Sequence, residues 1–163
     1  MPVREVLVYP HPALKQVARA LDPGEDEEIA RVAADLVDTM ESFGHCVGLA
    51  ATQLGEMVRM VVVDVTGHKK APVSNGRLVL VNPRIVSAAG AEVGREGCLS
   101  IPELTANVRR ATTIEVESAD GTLRSEGFEA RCLQHELDHL DGLLFLDRVD
   151  SLTADVFRRK RRG

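Results

Sequence analysis

The order of the predicted elements favours an α+β fold, in which helices and antiparallel strands form separate parts of one domain. One clear amphipathic helix comes early, several strands follow with few helices between them, and a second helix lies near the C-terminal end. The chain has 163 residues, of which 44% are hydrophobic, and this suits one domain with a sizeable core. We therefore predict a single domain over residues 1–163, with a short basic tail at about 151–163.

Charge, composition and cysteine content exclude several classes of function. The net charge is −5, so the chain carries no overall basic surface for nucleic acid, and we expect no specific DNA partner. No apolar run approaches the roughly 20 residues that a transmembrane helix needs, and the first residues lack the pattern of a signal peptide. The three cysteines are too few for a disulfide framework. These features predict a cytoplasmic protein without membrane contact.

The N-terminal part of the chain begins with an extended segment over residues 3–9, and a short helix is expected over 14–20. The clearest helix follows, with Asp22 as a candidate N-cap, Pro23 at its first position and acidic residues in its first turn. Apolar residues then recur at helical spacing along one face. They are Ile29, Val32, Ala33, Leu36, Val37, Met40 and Phe43.

Residues 44–55 form a segment rich in glycine and small side chains. Such a segment is either a tight loop between a helix and a strand or backbone packed against a functional site, where side chains must be small. Gln53 carries a side-chain amide that can both donate and accept hydrogen bonds. It is therefore a candidate catalytic residue.

Strand signals dominate the middle of the chain. Residues 57–65 form a β-rich run that is typical of a central strand. Residues 66–75 are polar and predict a loop, in which His68 is expected to be exposed to solvent. A further strand is predicted over 77–86, with Pro83 placing part of it at an edge or a bend.

A β-hairpin is predicted after these strands. The runs 112–117 and 122–129 are suited to strands and flank the dipeptide Asp120-Gly121. An Asp-Gly pair between two such runs is a strong hairpin signal, because both residues tolerate the backbone angles of a tight turn. The antiparallel pairing of neighbouring strands supports the α+β prediction.

The segment 132–144 contains the motif His-Glu-x-x-His. On a helix, His135 and His139 lie about 40° apart around the axis, so both imidazoles leave one face and can bind one metal ion. Glu136 lies one step round, within reach of water activated by that ion. Leucines occupy another side of the helix, and Gly142 is a plausible stop signal. Two histidines leave the site incomplete, because catalytic sites of this kind usually have three protein ligands.

Three segments together resemble the motifs of the peptide deformylase family. Residues 46–53 are similar to its Gly-x-Gly-x-Ala-Ala-x-Gln motif, 96–100 to its Glu-Gly-Cys-x-Ser motif and 134–139 to its Gln-His-Glu-x-Asp-His motif. The resemblance runs over nearly the whole chain, from Pro10 to Phe145. Three motifs at family-like separations are a far more specific signal than any one of them.

The resemblance implies a hydrolase that removes the N-formyl group from the initiator methionine of newly synthesised proteins. It implies one divalent metal ion bound by Cys98, His135 and His139. Members of the family use Fe(II) natively and often accept zinc, nickel or cobalt. The fold it implies is α+β, with antiparallel and mixed β-sheets surrounding a central helix that carries the metal-binding motif.

The resemblance also implies roles for residues around the ion. Glu136 is the expected general base, which takes a proton from the attacking water and delivers it to the leaving amine. The side-chain amide of Gln53 and the backbone N–H of Leu99 are the expected donors to the oxyanion. Glu96 is expected to fix the loop of Cys98, by pairing with Arg110.

The same resemblance implies where the substrate, an N-formylmethionyl peptide, binds. The methionine side chain needs an apolar pocket, and the following residues could pair as an extra strand with backbone near Val47 and Gly94. The residues expected to contact substrate are Val47, Gly48, Gly94, Phe128 and Cys132, with His135 beside them.

The chain departs from the family pattern at several positions. Cys46 occupies the first glycine position of the first motif, Thr105 stands where bacterial members often have arginine, and Arg131 replaces a usual apolar residue. Peptide preference beyond methionine is therefore expected to differ. The basic run 158–162 is either a solvated end or a contact to ribosomal RNA.

Two other functions remain open on the residues alone. A peptidase of the His-Glu-x-x-His type is one alternative, although such enzymes usually take a third histidine or glutamate after the helix, and no histidine follows His139. A metal-stabilised binding module is the other, and it would make Glu136 and Gln53 dispensable.

Overall fold

The structure, a computed structural model, describes residues 3–159 and has the predicted α+β architecture. It contains two α-helices and nine short strands within that range. The helices are α1 (Asp26–Ser42) and α2 (Gly127–Leu140). The strands are β1 (Gly48–Ala50), β2 (Met60–Val63), β3 (Leu78–Val81), β4 (Arg84–Ala89), β5 (Glu92–Cys98), β6 (Ile101–Arg110), β7 (Thr113–Ser118), β8 (Gly121–Glu126) and β9 (Val156–Arg158).

The strands form three sheets of three strands each, in the orders β1-β2-β3, β4-β7-β8 and β5-β6-β9. Every pairing between these strands is antiparallel. An isolated parallel bridge joins Arg19 and Val58 outside them. Neither α-helix of the described chain combines the length and the apolar character that crossing a bilayer would require.

β2 is the central strand of its sheet, as the β-rich run predicted, and its four residues are all buried. Because side chains alternate along a strand, its two faces join two different parts of the core. Val61 and Val63 belong to the cluster that contains Leu133 and Leu137 of α2. The opposite face, Met60 and Val62, packs with the α1 residues Val32, Leu36 and Met40. β2 therefore lies between the two helices.

The predicted start of α1 is wrong by three residues. The helix begins at Asp26, with Glu25 as its N-cap, and Asp22 and Pro23 lie in the preceding turn. Gly24 has a φ of +102°, which no helical residue adopts and which ends any helix that starts at Pro23. The Glu25 carboxylate instead accepts a hydrogen bond from the backbone N–H of Asp22 at 2.6 Å. The apolar face itself is confirmed by its packing against β2.

Two further predictions for the first half of the chain were wrong in extent. The helix expected over 14–20 is a 3₁₀ turn over Pro12–Lys15. The strand expected over 77–86 is two strands, β3 and β4, in different sheets. The chain turns between them at Asn82, which has a φ of +52° and whose side chain bonds the backbone of Leu21 in both directions. Pro83 marks this bend.

The hairpin predicted around Asp120-Gly121 is confirmed as β7 and β8, with Ser118 opposite Gly121 at its end. A second hairpin, between β5 and β6, was not predicted. One face of these strands is exposed and carries polar residues, so the sequence shows no clear run of apolar side chains there. A register shift between Gly97 and Cys98 also interrupts the pairing. β9 then adds to the edge of β6.

α2 begins at Gly127, directly after β8, which is five residues before the segment 132–144 from which it was predicted. It ends at Leu140, and Gly142 follows with a φ of +74°, as the stop signal predicted. Arg59 donates a hydrogen bond to the terminal carbonyl of Leu140 at 3.0 Å. The helix is buried along most of its length and packs against β1, β2, β7 and β8.

The C-terminal tail predicted at about 151–163 contains the strand β9, so its first part is folded onto β6. Arg158 is the last residue of that strand, and Arg159 follows it. The rest of the basic run, 160–162, lies outside the described residues.

Candidate metal centre and active site

Cys98, His135 and His139 converge, and one ligand atom from each lies within 4.8 Å of the others. All three residues are buried. The helical spacing of four in α2 places the imidazoles on one face, and the end of β5 presents the thiol opposite them. The Cys98 Sγ and His139 Nε2 atoms are 3.4 Å apart. A thiol and two imidazoles form a donor set suited to a divalent transition metal.

Glu96 fixes the orientation of His135. Its carboxylate accepts a hydrogen bond from His135 Nδ1 at 2.9 Å, which leaves Nε2 for the site. Arg110 donates two hydrogen bonds to the same carboxylate, at 2.8 and 2.9 Å, and Arg131 donates another at 2.8 Å. Burial alone would raise the pKa of Glu96, but the bonds from Arg110 and His135 outweigh it and hold that pKa well below its usual range. Glu96 therefore stays ionised.

Asp138, whose role the sequence left open, extends this ion-pair network. It is buried on α2 and accepts a hydrogen bond from Arg110 Nη1 at 2.6 Å. Arg148 pairs with its other oxygen at 3.0 Å. Arg110 thus lies between two buried carboxylates, one from β5 and one from α2, and joins the strand that carries Cys98 to the helix that carries the histidines.

Without a metal ion, the pKa values of the two imidazoles are shifted in opposite directions. Burial lowers the pKa of His139 well below its usual value, so that ring is neutral, as a metal ligand must be. Burial acts in the same direction on His135, but its hydrogen bond to Cys98 and the nearby carboxylates raise its pKa well above the usual value. To bind a metal ion, His135 would have to give up a proton.

Glu136 is a buried carboxyl group without a hydrogen bond to its Oε1 atom. Burial raises its pKa to about 7, which suits a group that exchanges protons near neutral pH. A Cβ atom added to Gly48 would lie 2.9 Å from Glu136 Oε2, so the backbone of β1 passes directly beside this carboxylate. The small residues of the segment 44–55 therefore pack against the site, which decides between the two interpretations left open above.

Gln53 lies in a buried 3₁₀ turn, Ala51–Leu54, directly after β1. Its Oε1 accepts a hydrogen bond from the backbone N–H of Ala50 at 2.9 Å, which fixes the amide. Its Nε2 donates to Ser100 Oγ at 3.0 Å and lies 3.5 Å from Cys98 Sγ. The N–H side of the amide therefore faces the cluster.

A cavity of about 450 Å³ opens beside this cluster. Leu99, in the turn between β5 and β6, lines it together with Gln53 and Glu136. Of the five residues predicted to contact substrate, four line the cavity, namely Val47, Gly48, Phe128 and Cys132. Gly94 is not among the lining residues, because the guanidinium of Arg131 lies over it. A role for Gly94 in pairing with a peptide stays a prediction.

Several lining residues were missed by the sequence reasoning. The cations Lys70, Arg95, Arg131 and Arg159 all border the cavity. Lys70 and Arg95 were given no role from the sequence, whereas Arg131 was expected to affect peptide preference and Arg159 was part of the basic run. His68, predicted to be exposed, is half-buried and stacks on Phe128 with 4.4 Å between ring centroids.

The fold and the site together indicate a class of protein, a metal-dependent hydrolase. The chain matches the family model of polypeptide deformylase over residues 3–155. A peptide deformylase of Alkalilimnicola ehrlichii is 41% identical, over 98% of this chain and 89% of the relative. One from Brucella suis is 39% identical, over 98% of this chain and 92% of the relative. The chain belongs to the polypeptide deformylase family, metal-dependent enzymes that remove the formyl group from the N-terminal methionine of nascent chains.

Solved structures agree with this assignment. A peptide deformylase from Legionella pneumophila superposes with a TM-score of 0.81 and 37% identity, over 92% of this chain and 88% of that one. A class I type b enzyme from Acinetobacter baumannii, crystallised with Met-Ala-Ser, gives 0.79 and 31% over 90% of this chain and 99% of that one. The predicted family and activity are therefore confirmed.

Proposed function

We propose that Cys98, His135 and His139 hold one divalent metal ion per chain, natively Fe(II), with zinc, nickel or cobalt as substitutes. The observation that carries this proposal is the convergence of three buried ligand atoms beside a buried carboxylate whose Oε1 has no hydrogen-bond partner. A bound divalent ion lowers the pKa of water from 15.7 towards about 7 and polarises a carbonyl oxygen. Elemental analysis after anaerobic purification tests the identity of the ion.

Glu136 acts as the general base and then as the general acid. Its raised pKa of about 7 allows the carboxylate to take a proton from water and return it to the leaving amine near neutral pH. The position of its Oε2 beside β1 holds it at the wall of the cavity. Glu136 moves the proton without being a ligand of the ion.

Gln53 and Leu99 stabilise the negative oxygen that forms when the formyl group is attacked. The Gln53 amide is held by Ala50 with its Nε2 directed at the cluster, so little reorganisation is needed during the reaction. The backbone N–H of Leu99 is the second donor. Fixed donors of this kind each contribute about 10²–10³ in rate.

The methionine side chain of the substrate binds in the apolar part of the cavity, against Val47, Phe128 and Cys132, where Gly48 leaves room for the formyl group. The peptide beyond it runs along β1 and β5, near Val47 and Gly94. The whole chain acts as one domain built around α2, as the burial of that helix suggests, and it works in the cytoplasm, where nascent chains emerge.

The basic run 158–162 is proposed to contact the phosphate groups of ribosomal RNA. The positive charge of the run supports this proposal, while Arg159 within it also lines the cavity of the cluster. A pelleting assay with ribosomes tests it with the full chain and with a chain lacking the run, and equal pelleting of the two would contradict it.

The proposed roles are tested by formate release from formyl-Met-Ala-Ser. We expect turnover by the wild-type chain. For Glu136→Ala we expect kcat to fall by a factor of about 10²–10⁴, because the carboxylate that transfers the proton is removed. Glu129→Ala is not a suitable control, since Glu129 is buried and bonded to Asn75 and Ser125. Glu103→Ala, on the exposed side of β6, is suitable and should retain activity. Unchanged turnover of Glu136→Ala would contradict the role of this carboxylate.

A further inference from the structure

We propose that Arg95 and Arg159 bind an acidic side chain in one of the two residues that follow the formylmethionine. The inference rests on the proposed function and adds a preference for a class of peptide. Both guanidinium groups line the cavity that contains Gln53, Glu136 and the cluster of Cys98.

The two arginines lie along one face of β5. Residues two apart on a strand point to the same side, so Arg95 and Gly97 share a face. Gly97 has no side chain, and the guanidinium of Arg159 lies directly over it. Cys98, the next residue, is buried where Gly97 is exposed, and Cys98 lines the same cavity as the two arginines. A peptide whose first residue lies beside the proposed metal centre therefore shares its cavity with these two guanidinium groups.

Arg95 is held in position without a carboxylate partner among the described residues. Its guanidinium donates hydrogen bonds to Asn107 at 3.1 Å and to Thr105 at 3.3 Å, and it lies 3.9 Å from the centroid of the Phe157 ring. These neutral partners fix the group but do not neutralise it. Within the described range, no ion pair is formed by Arg159 either. Arg131, in contrast, is paired with Glu96.

The carboxylates of the cavity do not cancel this charge. Glu96 and Glu136 are the two that line it, and both are buried. Glu96 is already bound by Arg110 and Arg131, and Glu136 is assigned to proton transfer. The entrance is thus positive in a chain whose net charge is −5, and a cleft with one sign of charge attracts ligands of the other.

A peptide side chain fits these groups better than nucleic acid does. The cations border a cavity of about 450 Å³ that contains the reacting groups, and folded RNA cannot enter such a space. An extended peptide with its first residue inside must present its second and third residues at the entrance. Asp or Glu at either position can accept charge-assisted hydrogen bonds from the guanidinium groups.

The test compares pairs of peptides that differ in charge alone. The substrates are formyl-Met-Glu-Ala-amide against formyl-Met-Gln-Ala-amide, and formyl-Met-Ala-Glu-amide against formyl-Met-Ala-Gln-amide. The C-terminal amide removes the terminal carboxylate, which would otherwise bind the same groups. For at least one pair we expect kcat/KM to favour the acidic peptide by about three- to fivefold at low salt, and the preference to shrink as salt screens the charges.

Variants identify which groups cause the preference. Arg95→Gln and Arg159→Gln should each reduce the ratio of kcat/KM for the acidic and neutral peptides, and the double variant should bring it close to one. Arg95→Lys keeps the charge and should retain most of the preference, which separates charge from packing on Phe157. Arg84→Gln is the matched control, because Arg84 is an exposed residue of β4 outside the cavity, and its ratio should equal that of the wild type.

The outcomes are distinguishable. A wild-type ratio of one for both pairs, or a ratio that survives in the double variant, overturns this inference while the neutral peptides are still deformylated. If neither peptide of a pair loses its formyl group, the proposed function itself fails. A wild-type ratio of one together with weaker ribosome pelleting of the double variant would assign the two arginines to RNA instead and also overturn the inference.

Discussion

Gly48 shows how a single residue leaves space for the carboxylate of Glu136, the proposed general base. The hydrogen atom in place of a side chain lets β1 pass beside Glu136, and the space that a Cβ atom would occupy is 2.9 Å from Glu136 Oε2. The φ of Gly48 lies in the ordinary range, so the backbone itself accepts another residue there. The requirement for glycine is therefore one of space, beside the carboxylate and beside the backbone carbonyl oxygen of Val62, 3.2 Å from the same point.

Gly48→Ala should reduce kcat for formate release by about 10- to 100-fold, because the carboxylate must move away from the position in which it transfers protons. The fold should survive, since Glu136 borders a cavity into which it can shift. Gly44→Ala is the matched control, because no atom lies within 4 Å of a Cβ at that position. Equal activity of the two variants would show that Glu136 does not depend on this contact.

At the scale of elements, an ion-pair network fastens the N-terminal segment and α1 to the turn after β1. Glu56 accepts hydrogen bonds from Arg31 at 3.0 Å and from Arg4 at 3.1 Å, and Arg4 also pairs with Asp35 of α1 at 2.8 Å. The bonds from Arg31, against the effect of burial, lower the pKa of Glu56 below its ordinary value. A carboxylate with a lowered pKa stabilises the fold above the ordinary pKa and loses that effect as pH falls.

Glu56→Gln should therefore lower the free energy of unfolding by about 1 kcal/mol at pH 7, and the difference from wild type should close as pH falls below about 4. Urea unfolding at several pH values measures it. Glu103→Gln, at an exposed position of β6, should show no such difference at any pH. If the difference in the free energy of unfolding between Glu56→Gln and wild type is unchanged at pH 3, then packing, and not charge, causes it.

The sequence predicted those parts of the fold and site whose signals are local. The metal motif, the turn at Asp120-Gly121 and the stop at Gly142 depend on residues close together in the chain. The β5–β6 hairpin was missed because its pairing joins polar residues as distant as Glu92 and Arg110. The contacts of Asp138 and the position of Arg95 at the cavity were missed for the same reason, since they arise only when distant strands and helices meet.

At the scale of the whole molecule, the fold buries titratable groups at a cost that the proposed metal ion would offset. Cys98, His135, His139 and Glu136 are all buried, and both Glu136 Oε1 and His139 Nδ1 lack hydrogen-bond partners. Buried polar groups without partners destabilise a fold. A cation that binds this cluster in the folded state and not in the unfolded one stabilises the molecule.

Removal of the ion by a chelator should therefore lower the melting temperature. At a free metal concentration about 1,000 times the dissociation constant, binding contributes about 4 kcal/mol, which corresponds to roughly 10 °C for a chain of this size. Scanning calorimetry of the loaded and stripped protein measures the shift, and addition of the ion should reverse it. An equal melting temperature before and after verified removal would contradict a stabilising metal centre.

The metal content of the Cys98→Ala variant tests the central claim most directly, because Cys98 is the proposed ligand that comes from outside α2. Anaerobic purification followed by elemental analysis should find about one divalent ion per wild-type chain and far less in Cys98→Ala. Cys46→Ala, which removes a neighbouring thiol of the same cavity, should keep the wild-type content. Full metal content in Cys98→Ala, or none in the wild type, would contradict a centre built from this thiol and the two imidazoles.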